Sequence, residues 1–383
     1  VNLIGIHLTV LIGPDPVAVP PPPQVLEALL DVEVTHSDRD RSGFRLTFAI
    51  GRSGPLDFLD YDLVGLTSVL QVNARVILAV AFDIVPKVIM DGIVTRRDIV
   101  PGDEPGQGRL VLTGEDISVV LDREVKRVEH PAQDETVIAN KIIVSYPQYG
   151  VVPKVIPPVV IDPPIPLDRT PQQTCSDWAY LKHMARRHGY VTYVDSGPVP
   201  LMNKVYWGPP ILADVPQCSL NVNLGPLSNV SSINVSQDAQ ATTLVEGTVQ
   251  DRITGQDVPI MTLLPSRPPL GLVPAAITNA SKLRKKPLEA SGLNAAQAFA
   301  RAQGELDMSS DDTVTVSGTL DSVRYNDVLR SRKYVDLRGA GFTFDGTYLV
   351  RSVTHRITRG KYEQDFVLSR AETGAKLPVV RPC

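Results

Sequence analysis

Cysteine is scarce in this chain. The three present, Cys175, Cys218 and Cys383, stand far apart, and no pair has metal-ligand spacing. That excludes a disulfide framework and fits the reduced thiols of a protein made in a cytoplasm. Aromatic residues make up only 5%, little material for stacking platforms against sugars or single-stranded nucleic acid. Charge of one sign is missing too. A net charge of −4 argues against a general nucleic-acid binder, which carries a strongly basic domain. No apolar run approaches the roughly 20 residues of a membrane span. The stretch Val76 to Phe82 has strand length and stops at Asp83. Val1 to Ile12 is apolar but lacks the basic start and small-residue cleavage site of a signal peptide.

What the chain has in excess is proline, 33 in 383 residues. The length predicts two or three domains, and 43% hydrophobic with 21% charged residues is an ordinary globular balance. The prolines cluster between Pro14 and Pro23 and between Pro147 and Pro171, so they mark connections. Residues 151–171, with Pro153, Pro157, Pro158, Pro163, Pro164 and Pro166, lack too many amide donors for a helix or central strand. This segment is expected to run as a stiff linker and to carry the main boundary.

Before it, residues 1–150 read mostly as strands. Asp31 to His36 and Phe44 to Ile50 alternate with period two, Phe44, Leu46, Phe48 and Ile50 sharing one face, and the polar Ser37 to Gly43 makes a hairpin turn. Leu70 to Val80, Lys87 to Arg96 and Arg109 to Thr113 continue the pattern. Ile117, Val120, Leu121, Val125 and Val128 then repeat at helical spacing, with Glu115 and Asp116 suited to the first turn. A second helix is expected over Glu135 to Ser145.

After it, residues 172–212 read as a small α/β unit. Thr174 to His188 is helical, with Trp178, Leu181, Ala185 and His188 as its stripe and Gly189 as its stop. Tyr190 to Asp195 and Leu201 to Trp207 form a hairpin. Residues 213–383 are again β-rich: Ser231 to Ser236, Thr242 to Gln250, Thr313 to Thr319, Tyr334 to Gly339, Tyr348 to Thr358 and Tyr362 to Ser369. One helix interrupts them, capped by Asn294 and striped by Ala295, Phe299, Ala302 and Leu306. The order implies an α+β, β-rich fold with two barrel-like bodies, not an alternating doubly wound one.

Catalytic and metal chemistry finds little support. The "GAGFTFDG" run at 339–346 resembles a phosphate loop, but a strand follows where a helix is required. Gly339, Gly341 and Gly346 fit tight turns instead, with Asp345-Gly346 a hairpin dipeptide. His183 and His188 are five apart on one helix, hence on different faces and unable to chelate as an i, i+4 pair. His355 is a lone strand histidine with no nucleophile elbow near it. Asp311 with Asp312, if on a strand, point to opposite faces. Trp178 and Trp207 are expected in the core. The basic runs Lys282, Arg284, Lys285, Lys286 and Arg330, Arg332, Lys333 read as solvated loops or partner contacts. No catalytic, cofactor or metal residue is assigned.

Three segments in order resemble the hub family of contractile tails: late control protein D, phage baseplate hubs and the N-terminal hub of VgrG spikes. They are "MDGIVTRRDIV" with "GRLVLTGEDISVVLDRE" at 90–124, "CSDWAYLKHMARRHGYVTYVD" at 175–195, and "DLRGAGFTFDGTYLVRSVTHRITRGKYEQDF" at 336–366. The resemblance spans most of the chain, least over Pro259 to Lys286. It implies two tail-tube-like β-barrels, the small α/β unit between them, and a homotrimer whose barrels surround a channel. Such a ring adapts a six-fold tail tube to a three-fold spike. Its implied partners are tube protein, other baseplate proteins and a spike supplied in trans, because no needle follows the last hub strand. The same resemblance implies no cofactor, no enzyme activity, no specific nucleic acid and no membrane insertion. The protein would be made in a bacterial cytoplasm and assembled into a phage tail or injection particle. Two other classes stay open: a carbohydrate-binding adhesin, told apart by a glycan array, and a cell-wall hydrolase, told apart by peptidoglycan digestion.

Overall fold

The computed structural model describes residues 2–3, 5–51, 69–82, 86–102, 107–161, 170–210, 215–238, 240–251, 254–274, 283–289 and 293–376. Asp83, Pro163, Pro164, Pro166, Lys282 and Cys383, singled out above, lie outside them.

The first half contributes β1 (Ile6–Pro14), β2 (Leu29–Ser37), β3 (Gly43–Ile50), β4 (Ala74–Ala81), β5 (Lys87–Val100) and β6 (Gly108–Asp116). β3 shows why they form: Phe44, Leu46, Phe48 and Ile50 are buried while Arg45, Thr47 and Ala49 face outward. β4 is buried on both faces. Val76, Leu78 and Val80 enter the main core of this half, and Ile77 and Ala79 pack under Leu11 and Ala18.

A middle unit follows: α1 (Glu135–Val144), β7 (Val151–Val155), α2 (Asp177–Arg187), β8 (Val191–Ser196) and β9 (Asn203–Gly208). Two expectations are corrected here. The helix over 117–128 exists only at Ser118–Leu121. Val125 is 76% exposed and bridges Ser176, and Val128 pairs with Gln173, so the helical spacing of those two valines served no buried stripe. The proline-rich segment is not linker from its start. Residues 151–155 form β7, which pairs in parallel with β9 from Val151↔Asn203 to Val155↔Trp207. β7 is an edge strand, where Pro153 lacks an amide that no neighbour needs. The unit buries Ile138, Ile142 and Ile143 of α1 against Trp178, Leu181 and Met184 of α2 and Trp207 of β9.

The last part holds β10 (Gln217–Asn221), β11 (Val230–Gln237), β12 (Thr243–Gln250), β13 (Asp257–Met261), β14 (Arg284–Pro287), α3 (Ala295–Ser310), β15 (Val314–Asp321), β16 (Tyr334–Arg338), β17 (Gly346–Thr358) and β18 (Lys361–Arg370). β12 leaves the main sheet and pairs with β13 and β14. α3, started by a capping box of Asn294 and Gln297, lays Ala298 and Ala302 on Val245, Val249 and Ile260 of that small sheet.

The two halves share one sheet of 13 strands, counting the short Asn2–Leu3. After Asn2–Leu3 its order runs β1-β4-β5-β6-β3-β2-β17-β18-β15-β11, with β16 beside β17 and β10 beside β16. The seam is β2 against β17, antiparallel from Asp31↔Thr358 to Ser37↔Ser352. β17 reaches both because it is 13 residues long. Its start pairs β16 and, past an irregularity between Val350 and Ser352, its remainder pairs β2. Each half curls round its own core, and Val328, Ile357 and Tyr362 of the second enter the core of the first.

Candidate assembly surface

Most of the residues weighed for chemistry are structural. His355 is 1% exposed, and its Nδ1 lies 2.9 Å from the Tyr362 hydroxyl. Glu115 and Asp116 end β6 instead of starting a helix. Burial raises the Asp116 carboxyl above its ordinary value even though the Ser118 amide donates to it at 2.9 Å. Asp311 and Asp312 do not diverge along a strand. Asp311 caps α3, and both carboxylates reach the Arg351 guanidinium, at 2.9 and 3.4 Å. His183 and His188 share one cleft, because His188 is the cap of α2 and has left its helical geometry. Among the described residues no group of three or more His, Cys, Asp or Glu could hold a metal. No described helix is long and apolar enough to cross a membrane.

The basic clusters also resolve. Arg332 is no surface charge: it is 7% exposed, stacks 4.0 Å over Tyr193, and donates to the Val194 carbonyl and the Ser42 hydroxyl. Lys285 and Lys286 pair with Glu246 and Glu305. Trp178 and Trp207 are buried, the latter donating its indole N–H to the Leu181 carbonyl at 3.2 Å. Gly339, Gly341 and Gly346 take φ of +85°, +96° and +125°, as the turn reading requires.

Sequence reasoning missed three buried arginines that tie the bodies together. Arg75 of β4 binds Asp91 of β5 through two bonds, 2.9 and 2.7 Å, both side chains 1% exposed. Asn203 of the middle unit donates to the same carboxylate at 2.8 Å, and Arg75 also reaches the Tyr149 carbonyl. Arg332 holds the middle unit to the Ser37–Ser42 turn. Arg351 of β17 joins Asp38 of that turn to the end of α3. A signal did exist: Arg75 and Asp91 are lone charges inside apolar strands, "ARVILAV" and "VIMDGIV". A buried charge persists only when paired and hydrogen-bonded.

What remains uncovered is a continuous polar sheet face crossing the seam. One cross-strand row runs Thr35, Thr354, Asp365, Thr319, Ser232; the next runs Ser37, Ser352, Val367, Ser317, Asn234. Hydroxyls bond along it, Thr35 to Thr354 at 3.1 Å and Thr319 to Asp365 at 2.7 Å. A third row alternates charge: Arg45, Glu33, Arg356, Glu363, with Asp321 beyond. The face is concave enough over β11, β15, β17 and β18 to hold a groove of about 400 Å³. Among the described residues the sheet ends in three strands: β11, Asn2–Leu3 at the far end of the path, and β10, which pairs only with β16. β11 pairs only with β15 and exposes Ser231, Ser232, Asn234, Ser236 and Gln237. Unpaired backbone along such an edge is a template for another strand.

No protein-family model and no curated protein matches the chain. Solved structures do. A tail protein from Neisseria meningitidis MC58 superposes with TM-score 0.64 at 13% identity, covering 95% of this chain and 96% of that one. The 43 kDa tail protein of prophage MuSo2 from Shewanella oneidensis gives 0.63 at 12%, covering 95% and 99%. A Francisella PdpA-VgrG complex gives 0.57 at 10%, with all of this chain on 60% of that one. At these identities the likeness establishes the fold, which is that of phage tail and VgrG proteins.

Proposed function

We propose that this protein is the structural hub of a contractile-tail baseplate or a related injection particle, a homotrimer that joins a six-fold tube to a three-fold spike. The supporting observation is end-to-end likeness to tail proteins together with one sheet built from two curled halves. The sheets of the two halves act as tube-like barrels, one lying within residues 1–150 and the other within 213–383, and α1, β7, α2, β8 and β9 form the small α/β domain between them, which reaches beyond residues 172–212 to take in 135–155. Three chains then supply six similar units round a channel. A trimer meets a hexamer only by offering two similar surfaces per chain.

The seam between β2 and β17 is the pattern for contacts between protomers. There the open edge at β11 takes up the neighbour's far edge at Asn2–Leu3, which also removes an aggregation-prone strand from solvent. The polar face lines the channel, and its partners are tube, spike and other baseplate proteins. Catalysis plays no part.

Mass photometry on the purified chain, alone and with its spike protein, tests this. A trimer is expected, and Ser232→Lys with Asn234→Lys on β11 should return it to monomer by placing lysines on the edge. A monomer that ignores spike and tube, or one that digests peptidoglycan, refutes the reading.

A further inference from the structure

The middle unit and the α3 unit meet at backbone distance. A Cβ on Gly304 of α3 would lie 2.8 Å from the Gly189 nitrogen, so only glycine admits this approach. Beside the contact opens a cleft of about 450 Å³ between the first turn of α1, the end of α2 and the face of α3. The hub reading makes no use of it.

Its chemistry is mixed in a specific way. Arg187 reaches Glu135 at 2.7 Å and also donates to the His183 ring at 3.0 Å, and His188 completes the pair with Glu135. Burial works against the Glu135 carboxylate, yet His188 and Arg187 outweigh it and hold it below its ordinary value. Burial first, then Arg187, keeps the His183 ring below its own ordinary value. Arg301, half-buried on α3, faces the same space and has no ion-pair partner among the described residues. The Gln133 side-chain oxygen and the Thr136 hydroxyl line the cleft, shut from solvent and without a hydrogen-bond partner. Val160, Ile161 and Leu293 give it an apolar wall.

We propose that this cleft binds an extended, carboxylate-bearing peptide segment of a partner protein. Arg301 takes the carboxylate, Gln133 and Thr136 pair with the peptide backbone, and the apolar wall receives an intervening aliphatic side chain. A peptide fits where a polynucleotide does not. Asp134 and Glu135 leave room for a single carboxylate at Arg301 and not for a run of negative charges, and the shut-in Gln133 oxygen requires a donor, which a backbone N–H supplies and a phosphate lacks. Guanidinium–carboxylate pairing in a partly enclosed site is the strong, orientation-specific kind of contact.

Fluorescence anisotropy on the full chain tests this with a short labelled Leu-rich peptide carrying one Glu (Glu-Leu), matched peptides with Gln or Lys in its place (Gln-Leu and Lys-Leu), and an oligo-dT. The Glu-Leu peptide is expected to bind at least about tenfold tighter than the other three, a difference of about 1.4 kcal/mol. Arg301→Glu should remove that preference, and Arg301→Gln should weaken it. Arg284→Glu, a charge reversal at an exposed residue that does not line the cleft, should leave it unchanged. Absence of Glu-Leu binding, equal affinity for the peptides, preference for oligo-dT, or an Arg301→Glu variant that binds normally overturns the proposal. None of these outcomes alters the expected trimer mass, so the two readings fail separately.

Discussion

Acid should open the seam between the two halves. His36 of β2 and His355 of β17 meet edge to face, ring centroids 5.7 Å apart. Burial, with Arg332 second, brings His36 down to about 3. Burial, then His36 and Arg330, holds His355 well below its ordinary 6.5. Both rings are neutral in the fold, while in the unfolded chain they take protons near 6.5. The unfolded state therefore binds more protons below that pH, so their contribution is complete above it and is lost as pH falls. The loss is about 1.4 kcal/mol per pH unit per histidine. Between about pH 7 and pH 5 it comes to about 2 kcal/mol for His355. His36, held near 3, also stays neutral over this range and loses about as much, so about 4 kcal/mol is expected for the pair. Hydrogen exchange of the 352–358 segment measures this directly: protection, corrected for intrinsic rates, should fall ~600-fold. In His36→Gln with His355→Gln the seam should be weaker at pH 7 but nearly flat with pH. If wild-type protection is unchanged at pH 5, or the double variant keeps the full slope, the neutral-pair account is wrong.

Four further outcomes are expected. Tyr348→Ser should cost about 3–5 kcal/mol in a melting experiment, because a fully buried ring under Arg370 is lost along with its 2.6 Å bond to the Phe344 carbonyl. Asp91→Ala should cost about 3–5 kcal/mol by leaving Arg75 charged, buried and unpaired, whereas a joint Arg75→Met, Asp91→Leu variant should recover much of that in urea unfolding. Gly304→Val should push α2 and α3 apart and raise hydrogen exchange in both helices while β3 and β6 stay protected. Cys175→Ser with Cys218→Ser should leave the assembled mass unchanged with or without oxidant, since both thiols are free.

Local periodicity carried most of the elements. The alternation of β3, the Asn294 cap of α3 and the glycine turns could be read because each depends on neighbours a few residues away. The two-residue turn at Arg359-Gly360 closes β17 on β18, Gly360 taking a φ of +85° and Thr358 facing Lys361. What could not be read depends on distant partners. Nothing near Thr35 announces Thr354, and nothing near Asp91 announces Asn203. The false helix over 117–128 shows the same limit: spacing proposes a stripe, but Asp122 is taken by Arg41 and Ser176, and the chain departs. β12 reads as one more strand of residues 213–383, and nothing in its pattern tells that it builds a separate small sheet with β13 and β14, because sheet membership is decided by the partner.

The pairing of β2 with β17 also sets an order of synthesis. Thr35 and Thr354, hydrogen-bonded in the finished sheet, are separated by 319 positions. At synthesis rates of about 5–20 residues per second, β2 waits roughly 15–60 s on the ribosome before its partner exists. During that interval its outer edge is a bare template beside other nascent chains. Long-range pairing of this kind is intrinsically slow once the chain is released. Truncated products that end before Gly346 should therefore aggregate where the full chain stays soluble, and a chaperone that binds nascent chains should engage most strongly in the window between completion of β6 and emergence of β17.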